Sequence, residues 1–172
     1  LEKGEVVERF QALMNPGRRI SAFIENYTGI TNQMLSKAAP CDEVMDEFAH
    51  FMAGSNLVAH NASFDKRFLD AELRRISRPY TGSFACSLLL ARRLYHHAPN
   101  HKLGSLISYK NIPAQGDFHR ALFDSEMTAK LWMTMLDDIA VQTAQKDVPF
   151  TLIQKLSKTP KNAVNKLLSA MS

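Results

Sequence analysis

The sequence predicts an α/β fold in which a short buried strand runs straight into a helix. Three observations carry that prediction. Leu57-Val58-Ala59 is a continuous apolar run bounded by Gly54-Ser55 and by Asn61, too short for a surface helix and suited to a buried strand. Residues 40–54, 63–77 and 121–140 place apolar side chains at helical spacing. A second short strand is predicted at residues 83–86.

Composition bounds the rest. With 172 residues and 45% hydrophobic content the chain can form one well-cored domain plus a short appendage. Its 21 Lys and Arg against 17 Asp and Glu leave a formal charge of +4, which favours a polyanion without requiring one. The two cysteines, Cys41 and Cys86, offer neither a disulfide framework nor metal-ligand spacing, so a reducing, cytoplasmic setting is expected. No apolar run approaches the roughly 18 residues needed to cross a bilayer, and no membrane association is expected.

Taken in order, the chain opens with a Lys3-Gly4 turn and a strand carrying Val6, Phe10 and Ala12 on one face, stopped by Asn15-Pro16-Gly17. Residues 20–30 read as a loop, followed by a short helix that Thr31 can cap. The helix at 40–54 buries Val44, Phe48, Phe51 and Met52 and turns Asp42, Glu43, Asp46 and Glu47 to water. After the central strand, Asn61 or Ser63 can cap a helix at 63–77, which sets Asp65 in its first turn, where free N–H groups favour an anion. Helices at 88–95 and 102–109 flank His96, His97 and His101, which have no cysteine partner and no regular ligand spacing, so no zinc site is expected. The long helix at 121–140 follows, and two short helices at 150–158 and 160–170 end the chain, each announced by a proline near its start. These last two are expected to pack back on the domain or on a second subunit.

On residue chemistry alone Asp65 reads as a solvated helix-start charge, and His119 as an ordinary core or surface histidine. Their company is what counts. His60-Asn61-Ala62-Ser63-Phe64-Asp65 follows a buried strand, and His119-Arg120-Ala121-Leu122-Phe123-Asp124 opens a late helix. In that order and separation the two motifs resemble those of the DEDDh, or DnaQ-like, 3′–5′ exonucleases, the group containing the proofreading epsilon subunit of bacterial replicative polymerases. The resemblance spans roughly residues 4–138.

What the resemblance implies is an α/β, ribonuclease-H-like mixed sheet flanked by helices, with residues 1–141 as the exonuclease domain and 142–172 as a helical C-terminal extension. It implies hydrolysis of single-stranded nucleic acid, with DNA favoured over RNA, from the 3′ end to 5′-mononucleotides. Two Mg²⁺ or Mn²⁺ ions would be held by Asp65 and Asp124, with His119 as the general base. Tyr27 or Ile24 would wedge against the terminal base; Thr28 stands where many relatives have His before the Gly-Ile pair; His60, Asn61 and Phe64 would line the substrate pocket. A DNA polymerase subunit and a second copy of the chain are the protein partners it suggests. The other function considered is a non-catalytic module of the same fold that binds nucleic acid or a polymerase.

The sequence departs from the family in one respect. The family's first strand carries Asp-x-Glu before Thr-Thr-Gly, whereas the Asp-x-Glu triplets here, Asp70-Ala71-Glu72 and Asp124-Ser125-Glu126, both fall inside predicted helices. The resemblance therefore implies a sheet lacking its first strand and most of its second, with about 25 to 40 residues omitted, removed or supplied by another chain. Without them the expectation is a fragment that does not fold alone, binds metal poorly and has little activity.

Overall fold

The computed structural model describes residues 1–2, 4–114, 116 and 121–171. They divide into two compact units, Leu1–Leu57 with Lys66–Ser83, and Val58–Asp65 with Phe84–Ser172.

In the first unit, strand β1 (Met14–Asn15) pairs in parallel with β2 (Ala39–Pro40), Met14 opposite Ala39 and Asn15 opposite Pro40. The strand expected over residues 6–12 does not form: apart from a bridge between Glu2 and Glu5, ladder pairing begins only at Met14 among the described residues. Phe10 is held instead by its ring, against Phe48 at 5.3 Å and Phe51 at 5.5 Å.

Residues 20–30 are also corrected, from loop to helix α1 (Ala22–Thr28). The reason lies in its caps. Ser21 accepts from the Ile24 N–H, and Gly29 closes the helix at φ 71°, a left-handed conformation that glycine adopts without cost. No residue of α1 is buried, so there was no apolar stripe to betray it. Helix α2 (Asn32–Ser36) has the expected Thr31 cap, whose hydroxyl accepts from the Met34 N–H at 3.1 Å. Helix α3 (Cys41–Phe51) buries Val44 and Met45, and Met45, Met52 and Leu73 form the centre of this unit's core.

The second unit starts at Val58, within β3 (Leu57–Ala59), which pairs with β4 (Phe84–Cys86) in a two-stranded sheet. Helix α4 (Ala62–Arg75) has its first turn in this unit. Helices α5 (Ser87–Leu94), α6 (Leu103–Tyr109) and α7 (Ala121–Thr143) follow; α5 and α6 both pack on α7. Along α7 the side chains of Met127, Leu131, Met135 and Ile139 are almost wholly buried, a stripe at four-residue spacing. Helix α8 (Phe150–Lys158) packs on α5, and α9 (Val164–Ser169), preceded by a 3-10 turn (Lys161–Ala163), packs on α7, so this segment shares the core through Leu152, Ile153, Leu156, Val164 and Leu168.

Candidate active site

The site is built on the turn between β3 and α4. Asn61 bends the chain there at φ 73°, a left-handed conformation that Asn tolerates better than most residues. Its carbonyl then accepts from the Phe64 N–H at 3.2 Å. The turn delivers Asp65 into the first turn of α4, exposed beside Phe64, which is 57% exposed.

His60 pins this turn from behind. Its Nε2 donates to the His101 carbonyl at 2.9 Å, because a carbonyl can only accept. Its Nδ1 lies 2.9 Å from Oγ of Ser87, the fully buried first residue of α5, and that Oγ is also 3.2 Å from the Ala59 carbonyl. One hydroxyl proton cannot serve both acceptors. Burial pushes the His60 pKa down, outweighing the raising effect of the His101 carbonyl, so the ring is neutral and Nδ1 takes the Ser87 proton. The end of β3, the head of α5 and the segment before α6 are thereby tied at one imidazole.

The same unit holds a second polar cluster. The Tyr95 hydroxyl donates to Asp138 Oδ2 at 2.6 Å, and Lys110 Nζ donates to the same oxygen at 2.8 Å while lying 4.9 Å from the centre of the Tyr95 ring. Burial first, and Asp138 second, push the Tyr95 pKa far up, so the phenol stays a donor.

Asp124 stands in the first turn of α7, half-buried. It precedes Met127 and Thr128 by three and four residues, so it continues the helix's buried face toward the N-terminus. Asp65 and Asp124 thus belong to the same compact unit, each at the head of a helix. Two carboxylates are hard oxygen donors of the kind Mg²⁺ and Mn²⁺ take, with water and substrate phosphate completing the shell. Among the described residues no three His, Cys, Asp or Glu side chains form a metal-holding group.

The other residues singled out by sequence belong to other elements or lie outside the described residues. Tyr27 and Thr28 end α1 in the first unit; Tyr27 is 57% exposed and stacks with Phe23 at 6.1 Å. The Thr28 hydroxyl donates to the Ile24 carbonyl at 2.7 Å and accepts from the Ile30 N–H at 3.2 Å. His119 lies outside the described residues. The Asp70-Ala71-Glu72 triplet is inside α4 as expected, where Asp70 pairs with Lys66 at 2.6 Å and Glu72 with Arg75 at 3.3 Å. Sequence reasoning missed Ser87; its signal was a lone hydroxyl heading the apolar run Leu88-Leu89-Leu90.

The family described as RNase_T, exonuclease, matches residues 1–132. The chain belongs to the exonuclease family. This exonuclease chain is 37% identical over 139 residues to a DNA polymerase III PolC-type of Listeria innocua, covering 80% of the chain and 10% of that relative. It is 37% identical over 148 residues to the PolC-type polymerase of Bacillus subtilis, covering 83% and 10%. To that of Streptococcus sanguinis it is 34% identical over 161 residues, covering 91% and 11%. It therefore spans about a tenth of the length of these relatives. Among solved structures, Exonuclease X in complex with 5′ overhanging duplex DNA superimposes with a TM-score of 0.66 at 24% identity, over 90% of this chain and 84% of that one. That likeness shows the α/β, ribonuclease-H-like exonuclease fold.

Proposed function

We propose that this exonuclease domain, residues 1–141, once an Asp-x-Glu metal-binding pair complements Asp65 and Asp124, hydrolyses single-stranded DNA, and RNA less readily, from the 3′ end, releasing 5′-mononucleotides. The observation that carries the reading is the pair Asp65 and Asp124, each in the first turn of its helix within one compact unit of an exonuclease-family chain.

In this reading Asp65 and Asp124 hold two divalent ions, Mg²⁺ or Mn²⁺. When bound, such ions neutralise charge on the phosphate oxygens and make a water nucleophilic at neutral pH. His119 accepts the proton of the attacking water, a role suited to an imidazole titrating near neutrality. The water oxygen forms a bond to phosphorus as the bond to the 3′ oxygen breaks, leaving the phosphate on the released nucleotide's 5′ side. Tyr27 stacks on the terminal base, with Thr28 beside it, while Asn61 and Phe64 shape the pocket. His60, with both ring nitrogens engaged inside the protein, acts by holding the Asn61–Asp65 turn. A DNA polymerase is the protein partner, and the setting is cytoplasmic.

The test uses protein made from the whole reading frame that encodes residues 1–172. It is incubated with 5′-labelled single-stranded DNA and RNA of one sequence, with Mg²⁺ or Mn²⁺. The expected result is a ladder shortening from the 3′ end, faster on DNA, and lost in Asp65→Asn and in Asp124→Asn. Undiminished turnover in either variant, or shortening from the 5′ end, overturns the reading. Binding without hydrolysis assigns the protein to the non-catalytic alternative.

A further inference from the structure

The first unit contains a cavity of about 570 Å³, within the range of ligand sites. Its lining includes Arg18, Arg19, Asn32, Gln33 and Ser36. Arg18, Arg19, Gln33 and Ser36 are exposed, so the cavity is an open trough rather than an enclosed pocket.

Its frame is rigid. The Asn32 side chain accepts from the Ile20 N–H at 2.8 Å and donates to the Ile20 carbonyl at 3.1 Å and to Glu25 Oε1 at 2.8 Å, while the Asn32 backbone N–H donates to the same carboxylate oxygen. One amide thus fixes α1, the segment before it and the head of α2 as a single wall. At the opposite end the Asn15 side chain accepts from the Gly17 N–H at 2.9 Å, which shapes the turn leading into the two arginines. Glu25 Oε1 is already taken by two Asn32 donors.

Neither Arg18 nor Arg19 has an ion-pair partner among the described residues. Guanidinium groups present planar donor forks that match phosphate oxygens, and the Gln33 amide adds a neutral donor beside them, while the Ser36 hydroxyl donates to the Gln33 carbonyl at 2.9 Å. None of the lining side chains is aromatic, so nothing in the trough offers a stacking face for a base. We infer that this trough binds the phosphodiester backbone of a single-stranded polynucleotide, through Arg18 and Arg19. The inference rests on the nuclease reading, since it supplies a second hold on the strand which that reading says is degraded.

The test is fluorescence anisotropy of a labelled single-stranded DNA oligonucleotide against the same protein in EDTA, over a series of salt concentrations. Each phosphate contact on a single strand adds about 0.7 to the slope of log affinity against log salt. Arg18→Ala/Arg19→Ala should therefore lower the slope by about 1.4 and weaken binding by about tenfold or more, with the thermal midpoint retained. Arg18→Lys/Arg19→Lys should keep most of the slope. Lys155→Ala/Lys158→Ala, which removes two exposed charges on α8, is the control for bulk charge. An equal loss in that control overturns the inference, as does an unchanged slope in the arginine variant or no measurable binding by the unaltered protein. Hydrolysis, measured separately on the unaltered protein, then shows whether the nuclease reading fails with it or stands without it.

Discussion

His60→Ala should loosen the turn that carries Asp65. The substitution removes two hydrogen bonds of 2.9 Å, one to the His101 carbonyl and one from Ser87. Each is neutral and worth about 1 kcal/mol net. The Ser87 hydroxyl, fully buried, falls back on the Ala59 carbonyl at 3.2 Å, whereas the His101 carbonyl loses its partner. With the contacts of the missing ring added, the cost is about 2–4 kcal/mol. For a chain of this length that lowers Tm by roughly 5–15 °C. Thermal unfolding followed by circular dichroism at pH 8 and pH 5 measures it, and the pH dependence carries a sign. The folded ring has its pKa pushed below the ordinary 6.5, chiefly by burial. Above pH 6.5 the ring is neutral in both states and the contribution is whole. As pH falls below that value the unfolded chain takes up a proton that the folded chain resists, and stability is lost until the folded pKa is passed. The gap between unaltered protein and variant should therefore be widest at pH 8 and narrower at pH 5. A gap under about 1 °C at pH 8, where roughly 5 °C is the least expected, or one that widens on acidification, would refute the role given to His60.

Three further outcomes are expected. His119→Ala should slow nucleotide release by at least about a hundredfold, the usual scale for losing a general base, in a single-turnover assay of the whole-frame protein. Leu156→Ala, at a position with no exposure, should cost about 2–5 kcal/mol in denaturant unfolding if α8 belongs to the core of the second unit. Gly82→Ala should cost about 1–3 kcal/mol, because a Cβ there would overlap the Ser55 carbonyl and the Tyr80 ring, whose Oη lies 3.0 and 3.1 Å from the Ser55 and Ser83 carbonyls with one proton to donate to either; the thermal midpoint reads it.

Much of the fold was legible because burial leaves a period in the sequence. Helix α8 occupies the residues its apolar stripe marked out, and α3, α5, α6 and α7 depart from their expected ranges by a few residues at the ends. Helix α1 was not legible by that route, because Ser21 and Gly29 define it and no buried face does. The pairing of Met14–Asn15 with Ala39–Pro40 could not be read either: two residues are too few to show a period of two, and the partner lies 25 residues away. No local pattern singles out Arg18 and Arg19; the Asn32 clamp and the trough they line do.

By itself the sequence determined what is written within a turn or two of chain: the strand that ends at Ala59, the helix heads that carry Asp65 and Asp124, and the paired motifs by which the chain resembles an exonuclease. Only the tertiary structure decided where the His60 ring is spent, on Ser87 and on His101, 27 and 41 residues away, and that the α8 and α9 side chains complete the core around α5 and α7. The physical reason is range. Caps, turns and amphipathic faces are set by neighbours a few residues apart, whereas a buried polar group is satisfied by whichever donor or acceptor the closed chain brings to it, and no local pattern names that partner.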